Sequence, residues 1–280
     1  MTGSSHAINI SQVQGDQQST CEDHVAVEEP LEIQLSSTTA DTAAAKSISI
    51  TMRTPGHDVE LALGFLLTEA IISSMDEVSK TGHTGAPDPE SGFQNIVRVE
   101  LEPHVGVDMD RLQRHFYATS SCGVCGKTSI EALRHNGLKS LKNKGATYSR
   151  DLVRALPDKL LEQQRLFSQT GGLHAAAVFN EQGEPVIVRE DVGRHNALDK
   201  VIGALLMRNE VPAHNMGLLV SGRISFELVQ KTLAAGISTL IAVSAPSSLA
   251  ISLAEEYGMT LVGFLRGDRF NIYTGMHRIT

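Results

Sequence analysis

Apolar and polar residues alternate in "PLEIQL" and again in "SISITMR", between Glu28 and Arg53, and that period of two predicts two strands of an antiparallel pair. The next stretch, "TPGHDVELALGFLLTEAII", opens with turn residues and then repeats Leu61, Phe65, Leu66 and Ile72 at helical spacing, which predicts a helix packed on those strands. Pro, Gly and Asp gather in "TGHTGAPDPESG", read as a loop, before "NIVRVEL" alternates once more as a strand. Ahead of all this, up to about Glu22, the chain is rich in Ser and Gln and shows no hydrophobic period, so residues 1–22 are expected to form a disordered leader.

Beyond about Thr170 the rhythm changes. Short β-branched runs, "AAAVF", "PVIVR", "MGLLV", "TLIAV" and "TLVGFL", alternate with helical periods, the signature of a parallel sheet flanked by helices. The helix of "HNALDKVIGALL" places Leu198, Val201, Ile202, Leu205 and Leu206 on one face, with Asn196 as its expected N-cap. "SFELVQKTLAA" and "SSLAISLAEEYG" are each long enough for a crossover helix. The connector "GLKSLKNKGATYSR" suits a domain boundary. The reading is therefore an α/β chain, α+β overall. Residues 23–145 form an N-terminal unit of antiparallel strands and a helix, and 146–280 a three-layer α/β/α unit.

Charge narrows the partners. With 24 basic and 32 acidic side chains the net charge is −8, which repels polyanions, and no basic run offers a nucleic-acid footprint. An anionic ligand would need a local cluster of arginines. The first residues lack the layout of a signal peptide, and no apolar run approaches the roughly 18 residues that span a bilayer, so a cytoplasmic location is expected, without membrane contact. Three cysteines in such a compartment argue against a disulfide framework, and Cys21, alone in the polar leader, is read as incidental.

In an open α/β sheet, ligands bind beyond the carboxyl ends of the strands. The segments there are Glu190 to His195, Ser221 to Arg223, Ser244 to Ser247 and Arg266 to Arg269. They would bring Arg194, Arg223, Arg266 and Arg269 to one rim, where guanidinium forks suit phosphate oxygens. The plainer alternative is that these arginines pair with Glu190, Asp191, Asp199 and Asp268 as surface ion pairs. His174, at the entry of "HAAAVF", is either a proton carrier facing the same pocket or a hydrogen-bonded structural residue.

The sharper signal is "SSCGVCGKTSIE", a C-x-x-C of Cys122 and Cys125 with a glycine after each cysteine. "TSIE" matches a capping box that would start a helix at Thr128, and a helix N-terminus with Lys127 lowers a thiol pKa. The glycines make a mobile loop, on which a thiolate can accept a partner's sulfur as a persulfide and carry it onward. Thioredoxin-like redox chemistry is an alternative, although the motif lies outside any βαβ unit. A zinc site would need ligands beyond Cys122, Cys125 and His174 or His135, and no metal site is assigned. Two inert structural cysteines would more usually sit in an apolar run.

Taken together, "RTPGHDVELALGFLLTEAII", "SSCGVCGK", "GGLHAAAVF", "EDVGRHNALDKVIG", "SGRISFELVQK" and "GFLRGDRFNIYTG" resemble the FdhD-type formate dehydrogenase accessory sulfurtransferases, in the same order, from about Glu28 to the end. The resemblance implies a carrier that takes persulfide sulfur from a cysteine desulfurase. It passes that sulfur to the molybdenum or tungsten bis(molybdopterin guanine dinucleotide) cofactor, bound as substrate, before insertion into formate dehydrogenase. It assigns the persulfide to Cys122 with Cys125 as partner in transfer. It assigns cofactor contact to Phe264, Leu265, Arg266, Gly267, Asp268 and Arg269, to which the rim read from the strand ends adds His174, Arg194, His195, Ser221 and Arg223. GDP is an expected mimic, and a homodimer is expected. The resemblance also implies a cytidine-deaminase-like second unit. Deaminase chemistry itself is not expected, because "LHAAA" has no glutamate two residues after His174 and no P-C-x-x-C follows. A cofactor-binding chaperone with no sulfur chemistry of its own is the alternative function.

Overall fold

The computed structural model describes residues 3–37, 45–106 and 138–280. Cys122, Cys125, the capping box at Thr128 and His135 lie outside the described residues.

The chain opens on strands β1 (Ser5–Gln14) and β2 (Gln17–Ala26), paired antiparallel from Ser5 opposite Ala26 to Gln14 opposite Gln17. The expectation of a disordered leader over 1–22 is therefore corrected. Gly15, at φ 61, and Asp16 form a two-residue hairpin turn that the Ser/Gln-rich composition concealed. Ile8 and Ile10 fall on one face of the hairpin, with Asp23 and Cys21 as their cross-strand neighbours.

Strands β3 (Glu29–Ser37) and β4 (Lys46–Arg53) pair antiparallel as their alternation predicts. With β5 (Val78–His83) and β6 (Ile96–Leu101) they form a sheet of order β4-β3-β6-β5, in which β3 and β6 are parallel. β5 takes Thr81, Gly82 and His83 out of the segment read as a loop, because each pairs with β6. The inner face buries Leu31, Ile33, Leu35, Ile48, Val97, Val99 and Leu101, and helix α1 (Asp58–Thr68) shares that core.

The second sheet has the order β12-β11-β10-β9-β7-β8. Its strands are β7 (His174–Phe179), β8 (Pro185–Asp191), β9 (Gly217–Val220), β10 (Thr239–Ala242), β11 (Thr260–Arg266) and β12 (Arg269–Thr274). Within this sheet only the neighbouring pairs β9–β10 and β10–β11 are parallel; β7 is antiparallel to both β8 and β9, and β12 is antiparallel to β11. The sheet is thus mixed rather than parallel throughout. The β7–β8 and β11–β12 connections are too short to hold a crossover helix, so each closes as a hairpin.

Helices α2 (Arg150–Gln163), α3 (Arg165–Thr170), α4 (Arg194–Met207), α5 (Phe226–Ala234) and α6 (Ser248–Tyr257) complete the described α-helices. Ser149, Ser225 and Ser247 cap α2, α5 and α6 by accepting a backbone N–H three residues on. Along β7, Ala176 and Val178 join the core shared by α4, α5 and α6, whereas Ala175, Ala177 and Phe179 join the core under α2. That alternation makes the three layers: α2, the sheet, then α4, α5 and α6. The larger core continues into the first sheet through α1.

Helices α1 and α4 meet through two glycines. A Cβ built on Gly64 would lie 1.9 Å from the Asp199 carbonyl oxygen, and one on Gly203 only 1.8 Å from that of Glu60. Only hydrogen at both positions permits this approach. Beside the crossing, Arg189 on β8 donates to both carboxylate oxygens of Glu60 on α1. The buried Lys231 of α5 lies 2.8 Å from Asp199 Oδ2 and donates to Thr68. Burial opposes the charge on Lys231, but Asp199 and Glu69 outweigh it and hold the ammonium above its usual value.

Candidate functional site: a cationic rim on the second sheet

β9, β10 and β11 are parallel, so their carboxyl ends share one edge of the sheet. Because β7 is antiparallel to β9, its first residue, His174, reaches the same edge; β8, antiparallel to β7, ends there with Asp191 opposite His174. One rim therefore carries His174, the segment Glu190 to His195, Ser221 to Arg223, and Ser244 to Ser247. These are the segments that sequence placed beyond strand ends.

His174 is half-buried; burial, then the nearby Arg194 and His195 charges, push its pKa below the usual value, so its imidazole is neutral at pH 7. Gly222 lies directly against it: a Cβ there would be 3.4 Å from His174 Nδ1 and 3.7 Å from Arg194 Cδ. The Ser221 hydroxyl accepts from the Ala175 N–H at 2.9 Å and thereby prolongs the ladder. His195 is engaged on α5, its Nε2 lying 3.1 Å from Glu227 Oε2 and 3.4 Å from Ser225 Oγ. Asn196 is not the expected N-cap. Gly193 holds that place without a side-chain cap, and the Asn196 amide instead donates to the Met52 carbonyl at 2.7 Å and to Asp191 Oδ1 at 3.0 Å.

The segment Phe264 to Arg269 closes a hairpin rather than forming an open loop beyond a strand end. β11 runs on through Arg266, Gly267 and Asp268 form the turn, and Arg269 starts β12. Arg266 and Arg269 are cross-strand partners, both exposed. Like charges placed directly opposite destabilise a ladder. Phe264 adopts φ 55 at a break in the β11–β12 register, with its N–H donating to the Ser244 carbonyl at 3.1 Å. Left-handed backbone costs a bulky residue about 1 kcal/mol or more, and here it leaves the ring 38% exposed beside the Ser244–Ser247 segment. Leu265, by contrast, is fully buried in the core under α2 and has no side-chain surface to offer a ligand.

Glu190 accepts from the Leu166 and Phe167 N–H groups at the start of α3. Asp191 pairs with Lys200, and Asp199 with Lys231. Arg154 bonds the Asp268 carbonyl and the Asp151 carboxylate. Among the described residues, none of these acids pairs with Arg194, Arg223, Arg266 or Arg269, and Arg194 Nε is buried without a hydrogen-bond partner. Among the described residues, the rim thus holds cations without a neutralising partner.

Sequence reasoning missed what fixes this rim. Asp191 and Lys200, 0% and 1% exposed in their side chains, lie 2.6 Å apart. Asp191 also accepts from the Thr54 and Gly193 N–H groups, while Lys200 donates to the Thr54 carbonyl at 2.8 Å. The one signal in the sequence was an acid at a strand end with a lysine two to three helical turns later. Cys21 lies half-buried on β2 as a free thiol, 4.0 Å from Gln12 Oε1. Among the described residues, no group of three or more His, Cys, Asp or Glu side chains could hold a metal ion.

The described residues on either side of 107–137 lie away from the rim. Those before it follow β6, which runs parallel to β3. The start of β3 stands opposite Arg53, next to the Thr54 that bonds Asp191. The far end of β6 is therefore the end remote from the rim. On return, the Leu141 N–H donates to the Tyr257 carbonyl, near the start of β11. Arg278, 2% exposed, donates there to the carbonyls of Leu141, Lys144 and Gly258 and to the Thr260 hydroxyl.

The profile of the FdhD/NarQ family matches residues 26–280. The chain belongs to the FdhD/NarQ family. Its relatives include proteins named sulfur carrier protein FdhD. That of Nocardia farcinica is 48% identical over 259 residues, covering 92% of this chain and 88% of the relative. That of Mycolicibacterium paratuberculosis is 50% identical over 256 residues, 91% of each chain. That of Sulfurisphaera tokodaii is 43% identical over 272 residues, 97% of this chain and 98% of the relative. In fold, the chain matches the crystal structure of a Desulfotalea psychrophila protein described as a formate dehydrogenase accessory protein. The TM-score is 0.74 at 24% identity, over 99% of this chain and all of the other. The β1–β2 hairpin precedes the segment matched by the family profile. Among the described residues no helix is long and apolar enough to cross a membrane.

Proposed function

We propose that this FdhD/NarQ-family chain is a sulfur carrier in formate dehydrogenase maturation, which accepts persulfide sulfur on Cys122 and delivers it to a nucleotide-bearing molybdenum or tungsten cofactor held as substrate on the rim. The observation that carries the binding half is the set of rim arginines that pair with no acid among the described residues, together with the exposed Phe264 ring two residues before Arg266. Two pyrophosphates and two purines per bis(molybdopterin guanine dinucleotide) would engage guanidinium forks and an aromatic face. The sulfur half is supported by the C-x-x-C and by the name the relatives carry.

The steps balance as thiol–persulfide exchange. The Cys122 thiolate attacks the outer sulfur of a persulfide on a cysteine desulfurase; the S–S bond of the donor breaks, and its electron pair leaves on the desulfurase cysteine as thiolate. The Cys125 thiolate then attacks Cys122 Sγ and expels the outer sulfur as sulfide onto the metal. Two cysteine thiols have supplied two electrons, so a Cys122–Cys125 disulfide remains, and a dithiol reductant resets it. A homodimer would offer two rims to the two guanine arms, and the need for reduced thiols fits the cytoplasm.

A chaperone that binds the cofactor without handling sulfur is the competing reading. Cys122→Ala separates the two: the carrier keeps nucleotide binding but loses formate dehydrogenase maturation, and an escort keeps both. Mass spectrometry after incubation with a desulfurase and cysteine should find one added sulfur atom on the peptide holding Cys122. Added mass on the Cys21 peptide alone overturns the assignment.

A further inference from the structure

We infer that the buried Asp191–Lys200 pair is a positioning device that holds the Arg194 end of helix α4 open to an anion, fixing its backbone while cancelling the carboxylate charge beside it. This rests on the rim being the anion site.

The geometry is that of an acid kept away from its customary task. An aspartate at a helix start ordinarily accepts from the N–H groups of the first turn and so caps them. Here Asp191 spends Oδ1 on the Gly193 N–H at 2.8 Å and the Asn196 side chain, and Oδ2 on the Thr54 N–H at 3.2 Å and Lys200. Thr54 Oγ1 accepts from the Val192 N–H at 3.2 Å. The loop entering α4 is thus bonded at every step, yet the N–H groups of Arg194, His195 and Asn196, which have no partners within the helix, find none among the described residues. Such groups with a helix dipole behind them attract anions, and Arg194 Nε is a buried donor in the same place.

Charge explains why a lysine accompanies the aspartate. A bare carboxylate three residues from Arg194, shielded from water, would repel the ligand the rim collects. Lys200 Nζ, 2.6 Å away and fully buried, cancels it. A purely structural clamp could be built from neutral groups. The pair also ties the β4–α1 connection at Thr54 to the rim, so residues far away in sequence set the rim's shape.

The test titrates GDP into the full-length protein by calorimetry at low and moderate salt, using Lys200→Met, Asp191→Asn and the double variant, with melting temperatures alongside. Lys200→Met is expected to weaken GDP about tenfold, more at low salt, by exposing one partner of a buried pair. The double variant is expected to regain affinity to within about threefold of the native protein. A double variant that binds no better than Lys200→Met, or a Lys200→Met variant that binds like the native protein, overturns the inference. Should Lys200→Met not fold, a double variant that folds and binds within that range supports the inference, and one that folds without binding overturns it.

A second readout needs no nucleotide. Asp191 already favours the protonated form of His174, against Arg194 and His195. Removing Lys200 should therefore raise the His174 titration midpoint seen by NMR, and the double variant should return it to native. Native protein that fails to bind GDP while His174 shifts in this way sinks the nucleotide reading of the rim and leaves the charge device standing. An unmoved His174 in a folded Lys200→Met variant overturns the device.

Discussion

Gly203→Ala is expected to destabilise the protein, although alanine is the best helix former and glycine in a helix interior costs about 1 kcal/mol relative to it. On an open helix face the exchange would stabilise. Here the new methyl group would start 1.8 Å from the Glu60 carbonyl oxygen, and 2.6 Å and 2.9 Å from the carbonyl carbon and Cα of the same residue. A carbon and an oxygen need about 3.3 Å, so α1 and α4 must part by roughly 1.5 Å at a crossing held on both sides. The Arg189–Glu60 pair holds one side, and the Asp199–Lys231–Thr68 group the other. Overpacking of this kind costs about 1–3 kcal/mol, and more where backbone rather than a flexible side chain must move. After the propensity gain the net loss should be about 2 kcal/mol, read by urea unfolding, with a drop in Tm of about 4–8 °C. Gly82→Ala is the control, since a Cβ there meets nothing within 4 Å, and it should change stability by less than about 0.5 kcal/mol. A Gly203→Ala variant as stable as the native protein would refute the reading of this crossing.

Glu60, whose burial is outweighed by Arg189 and His57, has its carboxyl pKa lowered to about 2. Its pair therefore contributes fully above the unfolded value near pH 4.5, and the contribution fades as pH falls through 2. With solvent screening allowed for, the advantage over Glu60→Gln should be about 2 kcal/mol at pH 6 and near zero at pH 2, measured by denaturant titration at each pH. Arg278→Met removes four donated hydrogen bonds and should cost about 3–5 kcal/mol in the same assay, with loss of amide protection at residues 141–144 by hydrogen exchange. Arg266→Gln with Arg269→Gln should weaken GDP at least tenfold while leaving Tm unchanged or slightly higher, because two like charges that face each other are removed. A fall in both affinity and Tm would mean that these arginines stabilise the hairpin instead.

Much of the architecture was legible because it is written in short-range periods. "PLEIQL" and "SISITMR" show their pairing by alternation, α1 and α4 by helical spacing, and the crossovers by length and by the serines that cap α5 and α6. Strand direction was not legible: β7 reverses against β9 through contacts remote in sequence, which the βα rhythm around it does not encode. The hairpin at the start was hidden because its larger apolar residues, Ile8, Ile10, Val13 and Val25, are too few to outweigh Ser and Gln in composition, although the Gly-Asp between its strands was a usable clue. β12 is encoded in the alternation of Phe270 and Ile272 with Asn271, but the polar Arg-Gly-Asp-Arg run before it has the composition of a loop. Of the site, the rim segments were visible because chemistry at strand ends follows from topology. The Asp191–Lys200–Thr54 clamp was not, since Thr54 belongs to the other sheet's connection and only packing brings it near.

The facing arginines at the tip of β11 and β12 carry one more implication. Two positive groups forced side by side store a repulsion that any polyanion seated between them discharges, so the empty hairpin should breathe and the filled one should quieten. Deuterium uptake at residues 266–269 would then serve as a built-in gauge of occupancy, legible in a crude mixture without a label on the cargo.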